Sequence, residues 1–369
     1  MSMQIQAAVF HGADIPLKIE ELTLADPKAG EVLVKLTASG VCHSDYHVVL
    51  GEWGAQTPLV LGHEGAGIVV ETGPGVTGLK PGDHVALSWT PSCRRCRYCV
   101  AGRPQLCTNA VQNAYRNVLP DGTTRLSRGE EPVYSYLSVG SFAEYAVVPE
   151  SGAIRIGTDV PPAIAALVGC AVTTGVGAAV NTVPVTPGSS VAVMGAGGVG
   201  LSTIMGAALQ SPEMIIAVDI ADDKLELARR AGATHTINAT RTDVVEAVKE
   251  ISGGGVDFSY EAIGRALTIE QAYASLAPGG TAVVVGQVPT GVKISIDPMA
   301  MSGRELTLTG SNYGSSRPSI DFNRILDLHR NGSLDLDLLI GQRLRLDQIN
   351  DAFVALGSGS PARTVIEYT

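Results

Sequence analysis

The chain has 369 residues, 45% hydrophobic and 17% charged, with a formal net charge of -10 at pH 7. That length exceeds one ordinary domain, so two lobes with sizeable cores are expected, and the composition excludes a disordered chain. The acidic balance argues against nucleic acid. The start Met1-Ser2-Met3-Gln4 lacks the basic and apolar regions of a secretion signal, and no apolar run is expected to reach the roughly 20 residues that span a bilayer, so a cytosolic chain is expected.

In chain order, the first part is built of short β-like runs broken by glycine and proline, among them 31–36, 67–70 and 84–87. It also carries a chemistry-rich stretch, Gly40-Val41-Cys42-His43-Ser44-Asp45-Tyr46-His47, followed by Gly62-His63-Glu64-Gly65-Ala66-Gly67. Thiol, hydroxyl and imidazole groups in such company suit a metal centre. A Cys2His set would leave zinc one position open for water or substrate.

Cys93-x2-Cys96-x2-Cys99-x7-Cys107 places four cysteines within fifteen residues. Reduced thiols are expected in the cytosol, and four thiolates in one loop compose a closed tetrahedral structural zinc site, with an iron–sulfur cluster as the rival. Arg94, Arg95, Arg97 and Arg103 are interleaved with them and are expected to offset the thiolate charge, which accounts for the one local arginine cluster without nucleic acid. Cys170 follows in Gly169-Cys170-Ala171-Val172-Thr173-Thr174-Gly175, where the two lobes join.

From about residue 172 apolar strands alternate with helical stretches, at 190–194, 199–209, 214–218, 223–231, 256–260, 269–276 and 281–285. This rhythm predicts right-handed βαβ units and a parallel sheet covered on both faces. Gly195-Ala196-Gly197-Gly198-Val199-Gly200 fits the dinucleotide fingerprint between a strand and a helix. Gly195 serves the tight turn, Gly197 the approach of a pyrophosphate, and Gly200 close helix–strand packing. Asp219 ends the next strand, nineteen residues after Gly200. A carboxylate there accepts from ribose hydroxyls and repels a 2′-phosphate, which favours NAD, with Lys224 reaching the ribose from the other side. Beyond about residue 314 the alternation stops. The tail is expected to return to the first lobe, giving a discontinuous domain of 1–171 and 315–369 around a cofactor domain of 172–314.

Taken together, the chain resembles the zinc-containing alcohol dehydrogenases of the medium-chain dehydrogenase/reductase superfamily, close to the liver-type enzymes. The likeness runs over essentially the whole chain. Gly62-His63-Glu64-x2-Gly67-x5-Gly73 matches the family's zinc signature, and the cysteine loop and glycine fingerprint come in the family's order. The resemblance implies an α/β protein with a GroES-like, mostly-β catalytic domain and a Rossmann doubly wound parallel-sheet domain. It implies two Zn2+ per subunit: one catalytic ion held by Cys42, His63 and Cys170, with Glu64 an occasional ligand, and one structural ion on Cys93, Cys96, Cys99 and Cys107. Asp45 would orient His63. Ser44 would accept the alcohol proton and pass it through the nicotinamide ribose to His47. Arg363 and His43 would contact the pyrophosphate, with Thr174 and Val288 as further cofactor contacts. Trp53 and Trp89 would line the substrate channel, which points to a primary alcohol with a bulky apolar, aromatic or allylic tail. A homodimer acting on a small molecule is implied, with no nucleic-acid or membrane partner. His84 and His235 are assigned to structure, and Ser44 has a second reading as a helix cap.

The rival activities are a glutathione-dependent formaldehyde dehydrogenase, a non-enzymatic relative and, remotely, a zinc-ribbon nucleic-acid binder. The first would call for cationic pocket residues, whereas Trp53 and Val111 stand at the aligned positions with Arg116 nearby.

Overall fold

The computed structural model describes residues 2–360 and 362–368. The chain divides into two compact units, one of residues 1–170, 317–328 and 340–369, the other of residues 171–316 and 329–339.

In the first unit, strand Met3–Phe10 alternates exposed Gln4 and Gln6 with buried Ile5 and Ala7, the period of two that turns one face of a strand inward, and from Ala7 to Phe10 it is buried on both faces. It closes a five-stranded barrel with Lys18–Leu24, Leu126–Arg128, Glu131–Ser135 and Leu59–Val60. Ile5, Leu22, Leu59, Leu61 and Phe142 are all buried in the cluster around it. A seven-stranded sheet carries the rest, with Glu31–Gly40 as its hub, antiparallel to Glu64–Thr72, Tyr145–Pro149 and Arg363–Glu367. The register sets Gly40 opposite both Glu64 and Val365, so segments far apart in sequence meet at one end of the hub.

Two strands near the end of the chain, Ile340–Leu344 and Arg363–Glu367, pair in the sheet of the first unit. Residues 329–339 group with the second unit. Leu334, Leu336 and Leu339 are at most 1% exposed, so this stretch is an apolar anchor rather than a surface connection.

The second unit is a six-stranded parallel sheet in the order His235–Asn238, Met214–Asp219, Ser190–Met194, Val256–Glu261, Leu276–Val284 and Thr307–Gly310. The order reverses between Ser190–Met194 and Val256–Glu261, the switch point outside which doubly wound sheets bind dinucleotides. Two helices lie close to their expected places, at Gly198–Ala208 and Asp222–Arg230. The helix expected over 269–276 runs from Ala266 to Ala274 instead, because Leu276 already begins the next strand.

One expectation is overturned. The helical run Pro162–Thr182 has 21 residues, and its most apolar stretch has a mean hydropathy of 2.0, long and apolar enough to cross a membrane by length and composition. Its most apolar window is 89% buried, so core packing accounts for its composition.

Candidate active site

The hub strand, its partner and a helix bring four side chains to one point of the first unit. Cys42 stands just past Glu31–Gly40 and is the N-cap of helix His43–Val49. His63 precedes the facing strand, which Glu64 opens, and Cys170 lies just beyond helix Pro162–Leu167. The ligand atoms of Cys42, His63, Glu64 and Cys170 all lie within 4.8 Å of one another, and all four residues are buried. Gly40 makes the room: a Cβ there would stand 2.0 Å from Glu64 Oε2. Zinc bonds of about 2.0–2.3 Å hold tetrahedral ligand atoms roughly 3.5 Å apart, so this donor set fits zinc.

The electrostatics agree. The hydrogen bond from Cys170 holds the Cys42 thiol well below its usual range, helped by Arg363 and His63 and opposed by burial, while Cys170 is pushed up. Burial pushes Glu64 up to about 7 against the pull of Arg363, whose Nη2 donates to Glu64 Oε1. A buried sulfur poised to ionise, next to a second thiol, is what a soft divalent cation binds.

Asp45 is fully buried. Its Oδ2 accepts the Cys42 N–H at 3.1 Å, and its Oδ1 accepts the Gly62 N–H at 3.0 Å and meets His63 Nδ1 at 3.2 Å. With the Nδ1 proton on Asp45, Nε2 is left as the metal-binding nitrogen. Burial alone would lower the proton affinity of His63, but the Asp45 charge outweighs it and the imidazole lies well above its usual value. Asp45, at the third position of the helix, thus closes a capping box with the N-cap Cys42, and the cap reading of Ser44 falls away. Ser44 Oγ instead sits 3.8 Å from Cys42 Sγ, at the metal pocket.

Further along the same helix, His43 is exposed and lies edge-on to Tyr46 at 6.3 Å. His47 is half-buried, its Nδ1 paired with Glu52 and its ring stacked on Trp53 with centroids 4.5 Å apart. Trp53 therefore has one face committed to His47. Trp89 is half-buried against the apolar cluster of Val32, Val34, Leu36 and Leu87.

Cys93, Cys96, Cys99 and Cys107 also bring their sulfurs within 4.8 Å of one another. Backbone amides point at the sulfurs: Cys93 N–H donates to Cys107 Sγ at 3.3 Å, and Cys96 N–H to Cys93 Sγ at 3.4 Å. Backbone donors, first of all that of Cys99, bring the Cys96 thiol down to about 6. Four sulfurs with no place for water fit a structural zinc. The arginines act here partly through their backbones, since the Arg95 amide helps to lower Cys93. The Arg97 side chain lies over the Tyr98 ring and bonds its hydroxyl at 2.6 Å.

In the second unit the fingerprint is built as its glycines require. Gly195 has φ +97, and a Cβ on Gly200 would stand 1.8 Å from the Gly195 carbonyl. Nothing lies within 4 Å of a Cβ placed on Gly197, the open side that a pyrophosphate needs. Gly198 and Val199 open helix Gly198–Ala208. Asp219 is tied into the same turn, accepting the Ala196 N–H at 2.8 Å and those of Ile220 and Ala221 at 2.7 and 3.2 Å. Lys224, Thr174 and Val288 are half-buried. Arg363, expected at the pyrophosphate, lies buried in the first unit against Glu64.

Two further residues bear on the site, one without a sequence signal and one with a local one. Tyr136 donates its hydroxyl to the Ser44 carbonyl at 3.1 Å and lies edge-on to His63 at 5.7 Å, and no local motif announces it. Glu52 is signalled only by Gly51, a helix-stopping glycine that turns the next residue back over the helix end.

Comparison with known proteins supplies the remaining findings. A family model described as the alcohol dehydrogenase GroES-like domain matches residues 28–158, and one described as zinc-binding dehydrogenase matches residues 198–330. The S-(hydroxymethyl)glutathione dehydrogenase of Escherichia coli O1:K1 / APEC is 39% identical, covering 99% of this chain and 100% of that protein. The enzyme of the same name from Paracoccus denitrificans is 37% identical over the same shares. The crystal structure of benzyl alcohol dehydrogenase from Acinetobacter calcoaceticus superposes with a TM-score of 0.95 at 34% identity, covering 100% of both chains.

Proposed function

This chain belongs to the zinc-containing alcohol dehydrogenases of the medium-chain dehydrogenase/reductase superfamily, and we propose that it catalyses the reversible, NAD-linked oxidation of primary alcohols with bulky apolar, aromatic or allylic tails to aldehydes. The observation that carries the reading is the buried Cys42, His63 and Cys170 set, with Asp45 behind His63 and the Ser44 hydroxyl beside Cys42. A Cys2His set is the donor set known for alcohol dehydrogenase zinc, and when bound the ion supplies the positive charge that makes an alcohol hydroxyl acidic. Ser44 takes that proton, and His47, 17% exposed, delivers it to solvent. NAD, when bound, would supply the hydride acceptor; the open side of Gly197 would admit its pyrophosphate and the Asp219 carboxylate would accept from its ribose hydroxyls. The four-cysteine zinc holds its loop and takes no part.

The substrate class rests on Trp89, half-buried against the Val32, Val34, Leu36 and Leu87 cluster. If its indole also borders the pocket, it would add apolar area and a ring face for a flat substrate, about 0.5–1.5 kcal/mol per aromatic pair beyond burial, and would crowd a second substituent on the reacting carbon. Likeness to a benzyl alcohol dehydrogenase supports the same reading.

The second reading, oxidation of S-(hydroxymethyl)glutathione, is favoured by the names of the curated relatives. That adduct carries two carboxylates and calls for cations beside the pocket. Arg116, exposed at the end of helix Thr108–Tyr115, is the cation this segment offers, whereas Trp53 and Val111 offer none. NAD reduction measured at 340 nm (about where reduced nicotinamides absorb) with benzyl alcohol, before and after zinc is stripped and restored, tests the reaction class. Zinc-independent turnover would overturn it.

A further inference from the structure

Helix His43–Val49 ends in a specific device. Gly51, at φ +71, turns the chain so that its N–H donates to the Val48 carbonyl at 3.0 Å and the Glu52 N–H to the His47 carbonyl at 2.9 Å. This crossed pair of bonds is the Schellman motif, which brings the second residue past the C-cap over the residue one turn back. That contact is usually hydrophobic. Here it joins Glu52 to His47, with the carboxylate on Nδ1. Trp53, whose N–H also donates to the His47 carbonyl at 3.2 Å, lays its indole on the imidazole at an interplanar angle of 25°.

We propose that Glu52 and Trp53 are positioning residues that clamp His47 in one tautomer and one ring plane for the final proton transfer. The proposal rests on the reading of His47 as the last proton acceptor of the relay. A carboxylate on Nδ1 keeps the proton on that nitrogen, so the lone pair is left on Nε2, the one ring nitrogen free to take the relayed proton. The stacked indole blocks the ring flip that would exchange the two nitrogens. When Nε2 is protonated, the imidazolium is held by Glu52 until Nε2 loses its proton to water, so no net charge accumulates. Glu52 is the one ionisable side chain bonded to His47 among the described residues. At 38% exposure it is not a core residue, so its replacement should spare the fold.

The test is a double-mutant cycle on the single-turnover rate of hydride transfer from benzyl alcohol to NAD at neutral pH, a readout that product release does not mask. Glu52→Gln should slow this step by about fivefold to tenfold, less than the roughly hundredfold or more that a positioned proton acceptor itself contributes, because His47 remains and only its positioning is lost. Alcohol KM and thermal stability should stay within error of wild type. His47→Gln should slow it at least as much, and the double variant should be no slower than His47→Gln alone. Added imidazole should restore all three, and Glu52→Asp should recover part of the rate. If the two losses multiply in the double variant, or if Glu52→Gln alone is as fast as wild type while His47→Gln is slow, the clamp is wrong and the relay stands. If His47→Gln itself is as fast as wild type, the relay reading falls and the clamp falls with it.

Discussion

Asp45 and His63 meet through Oδ1 and Nδ1 at 3.2 Å, and the same buried carboxylate takes the backbone N–H groups of Cys42 and Gly62. One side chain thus fixes the ring of one metal-site residue and the backbone at another. Asp45→Asn keeps the shape and removes the charge, and should weaken catalytic zinc about 10–100-fold. The four-cysteine zinc, in a separate loop, should be unaffected. Zinc released in a chelator titration, counted against lost turnover, checks this; release of both ions together at the wild-type concentration would contradict it.

The two sulfur-rich sites should respond differently to loss of a ligand. Cys42→Ser should abolish turnover, by at least about a thousandfold if the relevant charge stabilisation is lost, while leaving the melting temperature near wild type. Cys99→Ser opens a closed site whose metal contributes to folding, so it should chiefly lower stability. Metal analysis of the folded, active protein should return two zinc ions per subunit, and one ion would refute the paired assignment.

Asp219 is held by three backbone N–H groups, so its carboxylate is fixed at the mouth of the glycine turn. NAD should be preferred over NADP by at least tenfold, roughly 1.4 kcal/mol. Asp219→Ala should erode the preference by weakening NAD more than NADP. Equal use of both cofactors by the wild type would remove the role given to this residue.

A pH effect on stability should arise away from the chemistry. Burial would raise the Asp121 carboxyl, but hydrogen bonds from Lys28, Thr123 and Arg125 outweigh it and hold the group well below the usual carboxylate range. A depressed folded-state value stabilises the protein above the unfolded value of about 3.9, and this contribution is lost as pH falls below it. With Asp121 38% exposed, screening limits the effect. Asp121→Asn should cost about 0.5–1 kcal/mol at pH 7, with the difference from wild type fading as pH falls below about 3. A difference that persists unchanged in acid would contradict the assignment.

Much of this architecture is legible in the sequence because the chemistry is written in local spacing. The glycine fingerprint, the carboxylate closing the next strand and the cysteine loop each sit within a short window, and βαβ alternation announces the parallel sheet. The convergence of Cys42, His63 and Cys170 is reached by resemblance; what produces it is register, Gly40 facing Glu64, which no window of sequence reveals. Tyr136 is invisible for the same reason, since its hydroxyl crosses from residue 136 to residue 44. The apolar run Pro162–Thr182 is easily underread because its small residues, alanine and glycine, are weak signals one at a time. Glu52 is within reach: a glycine closing a helix fixes which residue folds back over the last turn.

The most direct measurement compares kcat/KM with NAD for benzyl alcohol, ethanol and S-(hydroxymethyl)glutathione on one zinc-replete sample. Benzyl alcohol should exceed ethanol by a factor of ten or more, about 1.4 kcal/mol of differential transition-state binding, because in the proposed reading only the larger substrate would stack on Trp89. Trp89→Ala should narrow that gap and admit secondary alcohols. Benzyl alcohol should also exceed the glutathione adduct. Ethanol matching benzyl alcohol, or the glutathione adduct proving the best of the three, would contradict the substrate class proposed for this chain.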